Sequence, residues 1–308
     1  MSAPAAAATL TRFPRLSLAL RAGIPLALLA VVLVRVRPGE VLRAVGQIEP
    51  LVLALAGVLA GVGITVQWAK WRDLTTAALP GTTPGQALQT LLVGFGLGLV
   101  SPGRLGELGR GAFESGERRT AMAALTAADR LCSAAVTVTA AWIALLTVAP
   151  GTGLAAGCLA GGAGAAGWRC RDRLARWRPV RAIAGLFAPV ARVPRETWLR
   201  LGCWSVLFNA VFLTQFALLL GPLAAPWPRL VQAVPLVFGL KTLVPFSVLD
   251  LGVREAAAVL VFTRFGFDPA PALGAALWVF ILNVLIPGAA GLAEVYRQAA
   301  RFGNKNLR

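Results

Sequence analysis

Nine charged residues of this chain stand in or beside apolar stretches, where charge is costly. Arg104, Glu107 and Arg110 close one apolar run, Lys241, Asp250, Arg254 and Glu255 accompany a second, and the pair Asp129-Arg130 falls inside a third. Glu107 is three residues from each of its arginines and Asp250 is four before Arg254, so in a short helix each set shares a face. Charges at membrane depth pair with one another and mark substrate or ion paths. An acid that holds an arginine lowers its cost of burial, and the remaining guanidinium donors can fork onto a phosphate. Gly103, Gly106, Gly109 and Gly252 permit close backbone approach, and helix starts after Pro102 and near Ser247 would aim N–H groups at an anion. The chemistry these residue types support is recognition of an anionic, phosphate-bearing group. The competing reading is a set of ion pairs that only pins the segments.

Asp129-Arg130 leaves two readings open: a partner for the other charges or a proton-coupling site if the helix starts near Thr120, and an interfacial pair if it starts lower. Asn283 is polar within an apolar run and fits an interhelical hydrogen bond. Trp68, Trp71, Trp168, Trp177, Trp198 and Trp227 fall near the ends of apolar runs and read as interface anchors.

The elements that must position these charges occur twice. Gln89–Arg110, QTLLVGFGLGLVSPGRLGELGR, returns as Gln232–Arg254, QAVPLVFGLKTLVPFSVLDLGVR. At one offset Gln89, Phe95-Gly96-Leu97, Pro102 and Leu108-Gly109 lie on Gln232, Phe238-Gly239-Leu240, Pro245 and Leu251-Gly252, with Glu107 over Asp250. One residue of slack brings Arg110 onto Arg254. Paired, Gly/Pro-broken apolar segments of this kind point to a transporter built from repeats. The equivalent places of Arg110 and Arg254 suggest that both bind one lipid phosphate, each in a different access state.

Composition sets the solvent. Of 308 residues 57% are hydrophobic, too many for a soluble domain of this size to hide. The formal net charge of +17, mostly arginine, fits cytoplasmic loops and anionic headgroups. Nucleic acid is not an expected partner, since the basic runs lie between apolar spans without a nucleic-acid-binding motif. Histidine is absent, which removes the commonest general base and metal ligand, and the four cysteines lack metal spacing. No metal, cofactor or disulfide framework is expected.

Spans are expected near 20–36, 50–68, 121–149, 152–168, 198–221 and 272–296. The first is read as a retained span, because Arg35-Val36-Arg37-Pro38 follows it where a signal peptide would carry small residues. The runs 86–100 and 230–245 are too short to cross and stop at Pro102 and Pro245, so they read as re-entrant hairpins. The arginines of 169–195 and the basic tail place those segments and both termini in the cytoplasm, with Gly151 outside, while Arg35, Arg37 and Arg43 dissent. The expected fold is an all-α integral membrane protein. It has six transmembrane helices and two re-entrant hairpins in an inverted-topology repeat, one domain over 1–308, with halves at about 20–149 and 152–302.

At these motifs the chain resembles the flippase-like membrane domain of the lysylphosphatidylglycerol synthase family. Pro102-Gly103-Arg104-Leu105-Gly106-Glu107-Leu108-Gly109-Arg110 is similar to that family's first motif, Asp129-Arg130 to its acid-arginine element, and Pro245 with Leu249–Glu255 to its second motif. Asp250 departs from the pattern, which commonly has glycine there. The resemblance implies a lipid-translocating or lipid-binding membrane protein of a bacterial-type inner membrane, without the aminoacyltransferase domain of the full synthases. The expected activity is movement of a phosphate-bearing lipid, phospholipid, polyprenyl-phosphate or glycolipid, by alternating access, with no enzymatic step. The alternative is a membrane-embedded lipid-modifying transferase or an accessory scaffold of a lipid or glycan biosynthesis enzyme. Expected partners are a lipid with an anionic headgroup and enzymes of such a pathway.

Overall fold

The computed structural model describes residues 48–101, 104–171, 173, 177, 184–221, 226–243 and 252–305, together with Gly39, Arg43, Val45 and Gly46. The expected span at 20–36, Pro102, Pro245 and Asp250 lie outside the described residues. Every regular element among the described residues is helical.

Proline sets several helix starts, because its missing N–H falls where no intrahelical partner exists. Helix α1 (Pro50–Ala78) opens this way and runs 29 residues. Helix α2 (Pro84–Leu99) follows a reciprocal cap, in which Thr83 Oγ1 accepts from Gln86 N and Gln86 Oε1 accepts from Thr83 N. A 3-10 segment (Leu105–Gly111) leads to α3 (Gly116–Val148) and α4 (Pro150–Arg169). Then come α5 (Arg195–Leu220), α6 (Trp227–Leu243) and α7 (Val253–Arg264). Helix α8 (Pro269–Phe280) continues through a π-helical turn (Ile281–Leu285) into α9 (Ile286–Lys305).

Four helices are long and apolar enough to cross a bilayer: Pro50–Ala78, Gly116–Val148, Arg195–Leu220 and Pro269–Arg301. They carry exposed Leu51, Leu55, Val58, Leu131, Ile143, Leu199 and Val206, the surface a lipid solvent favours. The chain is therefore an integral membrane protein. Helix α4, on the expected span 152–168, is a 20-residue helix with Gly153 as its buried residue, but its Gly/Ala sequence falls outside that apolar set. Helix α1 continues ten residues past the expected end at 68. The Trp68–Asp73 segment does not stop the helix because Lys70 and Trp71 are buried in protein contacts rather than facing an interface.

The remaining elements are short. Helices α2 and α6, of 16 and 17 residues, span about 24–26 Å at ~1.5 Å per residue. That is less than the hydrocarbon thickness of about 30 Å. Each is followed by a shorter helical piece, the 3-10 segment or α7.

Packing is reciprocal between the halves. Helix α1 packs along α5, α2 packs along α9, and α6 packs along α3. Two large apolar cores result, beside a small cluster around Ala270 and Leu273. One joins Trp71, Leu74, Leu91, Phe95 and Leu125 with Leu201 of α5; the other joins Phe216, Val237, Phe238, Phe262 and Ala276 with Ala56 of α1. Equivalent glycines make both cross-contacts possible. A Cβ on Gly96 would lie 2.5 Å from the Gly291 carbonyl carbon in α9, and a Cβ on Gly239 would collide with Ala141 in α3. Only glycine at these places lets the short helices lie so close to the long ones.

Candidate functional site

The first charged set is built on α2, the 3-10 segment and α3. Glycines on α2 make room for two charged side chains. A Cβ on Gly94 would lie 2.6 Å from Arg110 Cγ, and one on Gly98 would lie 2.6 Å from Glu107 Cγ. The 3-10 segment itself sits against α2, since a Cβ on Gly106 would collide with the Leu97 carbonyl. Ser101 Oγ accepts from Gly106 N at 2.6 Å and ties the turn together. Arg104 at the entry has φ +55, the left-handed region that a non-glycine residue rarely occupies, so its guanidinium is aimed by a costly backbone choice.

Glu107, 2% exposed, is the hub of this set. Its carboxylate pairs with Arg104 Nε at 2.5 Å, with Arg110 Nη2 at 3.8 Å and with Arg130. Asp129 is a second hub, with Oδ1 2.7 Å from Lys70 Nζ and Oδ2 3.2 Å from Arg110 Nη1. Lys70 also donates to Ser133 Oγ at 2.5 Å and to the Asp129 carbonyl at 3.3 Å. Asp129 stands well inside a 33-residue helix and is buried, with Lys70 and Arg110 as its partners. Arg110 is buried behind these groups, its guanidinium carbon 4.3 Å from the Trp71 ring centre. Trp71 donates from Nε1 to Thr90 Oγ1 at 2.9 Å and is fully buried. It is an interior platform for Arg110, not the interface anchor expected; Trp168, Trp177 and Trp227 are exposed.

The second set is built on α6, α7 and the π turn. Arg254 donates from Nη2 at 2.6 Å and Nε at 3.1 Å to Glu255 Oε1. Glu255 Oε2 in turn accepts from Gly252 N at 2.7 Å, where φ is +86. One buried acid thus holds the arginine and closes the N-terminus of α7, so that helix end is already occupied by a carboxylate. The expected holder of Arg254, Asp250, lies outside the described residues. Arg254 also lies over the Phe280 ring, at 5.7 Å. Asn283 donates to Gln215 Oε1 at 2.8 Å, the interhelical bond expected of it, from within a π turn. Such turns recur at functional sites because they re-aim one side chain.

Both sets face one cavity of about 380 Å³ between the halves. Lys70, Arg104, Arg130, Lys241 and Arg254 line it, against two acids, Glu107 and Asp129. Thr126, Ser133, Thr137, Asn209 and Asn283 supply neutral polar groups, and Leu105, Leu108, Phe208, Phe212, Phe238 and Val284 an apolar side. Of the sequence-derived site residues, Arg104, Glu107, Asp129, Arg130, Lys241 and Arg254 reach the cavity. Arg110 and Glu255 stand behind its wall and hold the residues that do. Lys70, Asn209 and the phenylalanines were not anticipated; a lysine directly after a long apolar run, continuous with it in one helix, is the signal that marks Lys70. The arrangement can accept an amphiphile, with an anionic group among the cations and its apolar part along the aromatic side.

A family model described as Lysylphosphatidylglycerol synthase TM region matches residues 16–291 of this chain. No curated protein matches it significantly.

Proposed function

The chain belongs to the lysylphosphatidylglycerol synthase TM-region family, and from that premise we propose that it moves a lipid with a phosphate-bearing headgroup across the membrane. The observation that carries this reading is an amphipathic cavity lined by five cations and two acids drawn from both halves. The reciprocal packing of α2 on α9 and α6 on α3 supports an inverted repeat, with the short helices as re-entrant hairpins. Rocking of one half against the other would open the cavity to one leaflet and then the other, with the acyl chains left in lipid. The arginine bias of 169–195 and of the tail supports an orientation with both termini in the cytoplasm.

Transfer chemistry would need a free acid or base at the cavity. Glu107, Asp129 and Glu255 are each committed to cations, which favours transport over a transferase. The test is reconstitution of the purified protein in liposomes carrying a phospholipid labelled in one leaflet. Exchange between leaflets well above that of protein-free liposomes supports the proposal; exchange equal to theirs refutes it.

A further inference from the structure

The charge balance of the cavity narrows the headgroup class, on the premise that the cavity is the headgroup site. Five cations against two acids leave a surplus of three positive charges among the described residues that line it. The charged residues behind the wall do not change this, because buried Arg110 and Glu255 offset each other. Asp250 lies outside the described residues; adding its charge, wherever it sits, still leaves a surplus of two.

A phosphodiester headgroup with one negative charge leaves part of that surplus unmatched in a partly apolar site. A zwitterionic headgroup leaves all of it, and a lysylated phosphodiester adds to it. A phosphomonoester carries about −1.5 to −2 near pH 7, and its three terminal oxygens accept from several donors at once. A diphosphate carries comparable or greater charge. The donors are placed for such a group. Arg104 and Arg130 enter from the first half, both held through Glu107, and Arg130 is 40% exposed at its side chain. Lys241 and Arg254 line the cavity from the second half. We infer that the cavity selects lipids ending in a phosphomonoester or diphosphate over phosphodiester lipids, with the headgroup bridging Arg104 and Arg130 to Lys241 and Arg254. Glu107 is then an internal counter-ion from which the headgroup draws Arg104 and Arg130.

The experiment is a lipid titration of the purified full chain in neutral detergent, read by native mass spectrometry. The probes are phosphatidate, phosphatidylglycerol, lysyl-phosphatidylglycerol and free pyrophosphate. Phosphatidate is expected to bind roughly tenfold or more tighter than phosphatidylglycerol, the worth of about one further charge-assisted hydrogen bond. Lysyl-phosphatidylglycerol is expected to bind more weakly than either. Lys241→Gln, at a half-buried position that leaves the Arg254–Glu255 pair intact, should weaken phosphatidate binding more than phosphatidylglycerol binding and so shrink the phosphatidate preference several-fold. Equal affinities for phosphatidate and phosphatidylglycerol, or tightest binding of the lysylated lipid, would overturn the inference. Free pyrophosphate binding as tightly as phosphatidate would overturn the lipid as its source. Liposome transport of a phosphodiester lipid alongside equal affinities would sink this selectivity and leave the transport reading standing.

Discussion

Glu107→Gln removes one charge from the most crowded point of the structure. The Glu107 side chain is 2% exposed and faces Arg104 at 2.5 Å, Arg110 at 3.8 Å, and Arg130. The pair at 3.8 Å alone is worth about 4 kcal/mol gross at an effective dielectric near 20. Desolvation of the ions cancels much of that gain, so the three pairs do not simply add. What remains on deleting one partner of a buried cluster is about 3–5 kcal/mol, because the stranded cations repel one another. Glutamine keeps the shape and an acceptor oxygen, so the loss reports charge and not a cavity. Glu114→Gln is the matched control. Its carboxylate meets Arg118 Nε at 3.2 Å, yet the two side chains are 28% and 31% exposed. Partly exposed pairs of that kind contribute about 0–1 kcal/mol. Reversible unfolding of both variants in mixed micelles, followed by tryptophan fluorescence, compares them directly. Glu107→Gln should lose several times more stability than Glu114→Gln. Equal losses would refute the view of Glu107 as a buried counter-ion.

Other outcomes follow from the same structure. Gly96→Ala should cost about 1–3 kcal/mol by pressing α2 away from Gly291, while Gly61→Ala, with nothing within 4 Å, should be neutral or slightly stabilising in the same melts. Trp71→Phe should cost about 1 kcal/mol for the lost bond to Thr90 and should slow transport, because the Arg110 platform shifts. Lys70→Gln leaves Asp129 with Arg110 alone, so transport should fall further than stability when liposome exchange and melts are run side by side. In a background with Cys132, Cys158, Cys170 and Cys203 replaced, a cysteine at Gly151 should label from outside and one at Arg171 should not; the reverse would overturn the orientation.

Much of the architecture is legible in periodic, local signals. Apolar length foretold the four long helices; the last runs nine residues past its expected end, and the other observed ends lie within about five residues of the expected ones except at α1. That helix overran because Lys70 and Trp71 read as an interfacial end while the fold gives both interior partners on α2 and α3. The charged motif residues were visible because charge in an apolar chain is conspicuous. Their division of labour was not. Arg110 and Arg254 hold equivalent places in the repeat, yet Arg254 reaches the cavity while Arg110 is sandwiched between Trp71 and Asp129. Burial direction depends on which face of the 3-10 segment meets α2, and that is set by Gly94 and Gly98 on a distant element. The pairing of Asp129 with Lys70, 59 positions away in sequence, likewise has no local signature. The internal match gave the two broken segments, whereas the exchange of α2 and α6 between halves emerges only from packing.

In the transport proposed here, cations from both halves hold one lipid phosphate. The most direct measurement is leaflet exchange of a labelled phosphate-bearing lipid in liposomes containing the wild type, Arg104→Gln, Lys241→Gln or the double variant, each first shown to be folded by its melt. Fast exchange is expected for the wild type, partial loss for each single variant, and exchange at the protein-free rate for the double variant. Undiminished exchange by the folded double variant would contradict it.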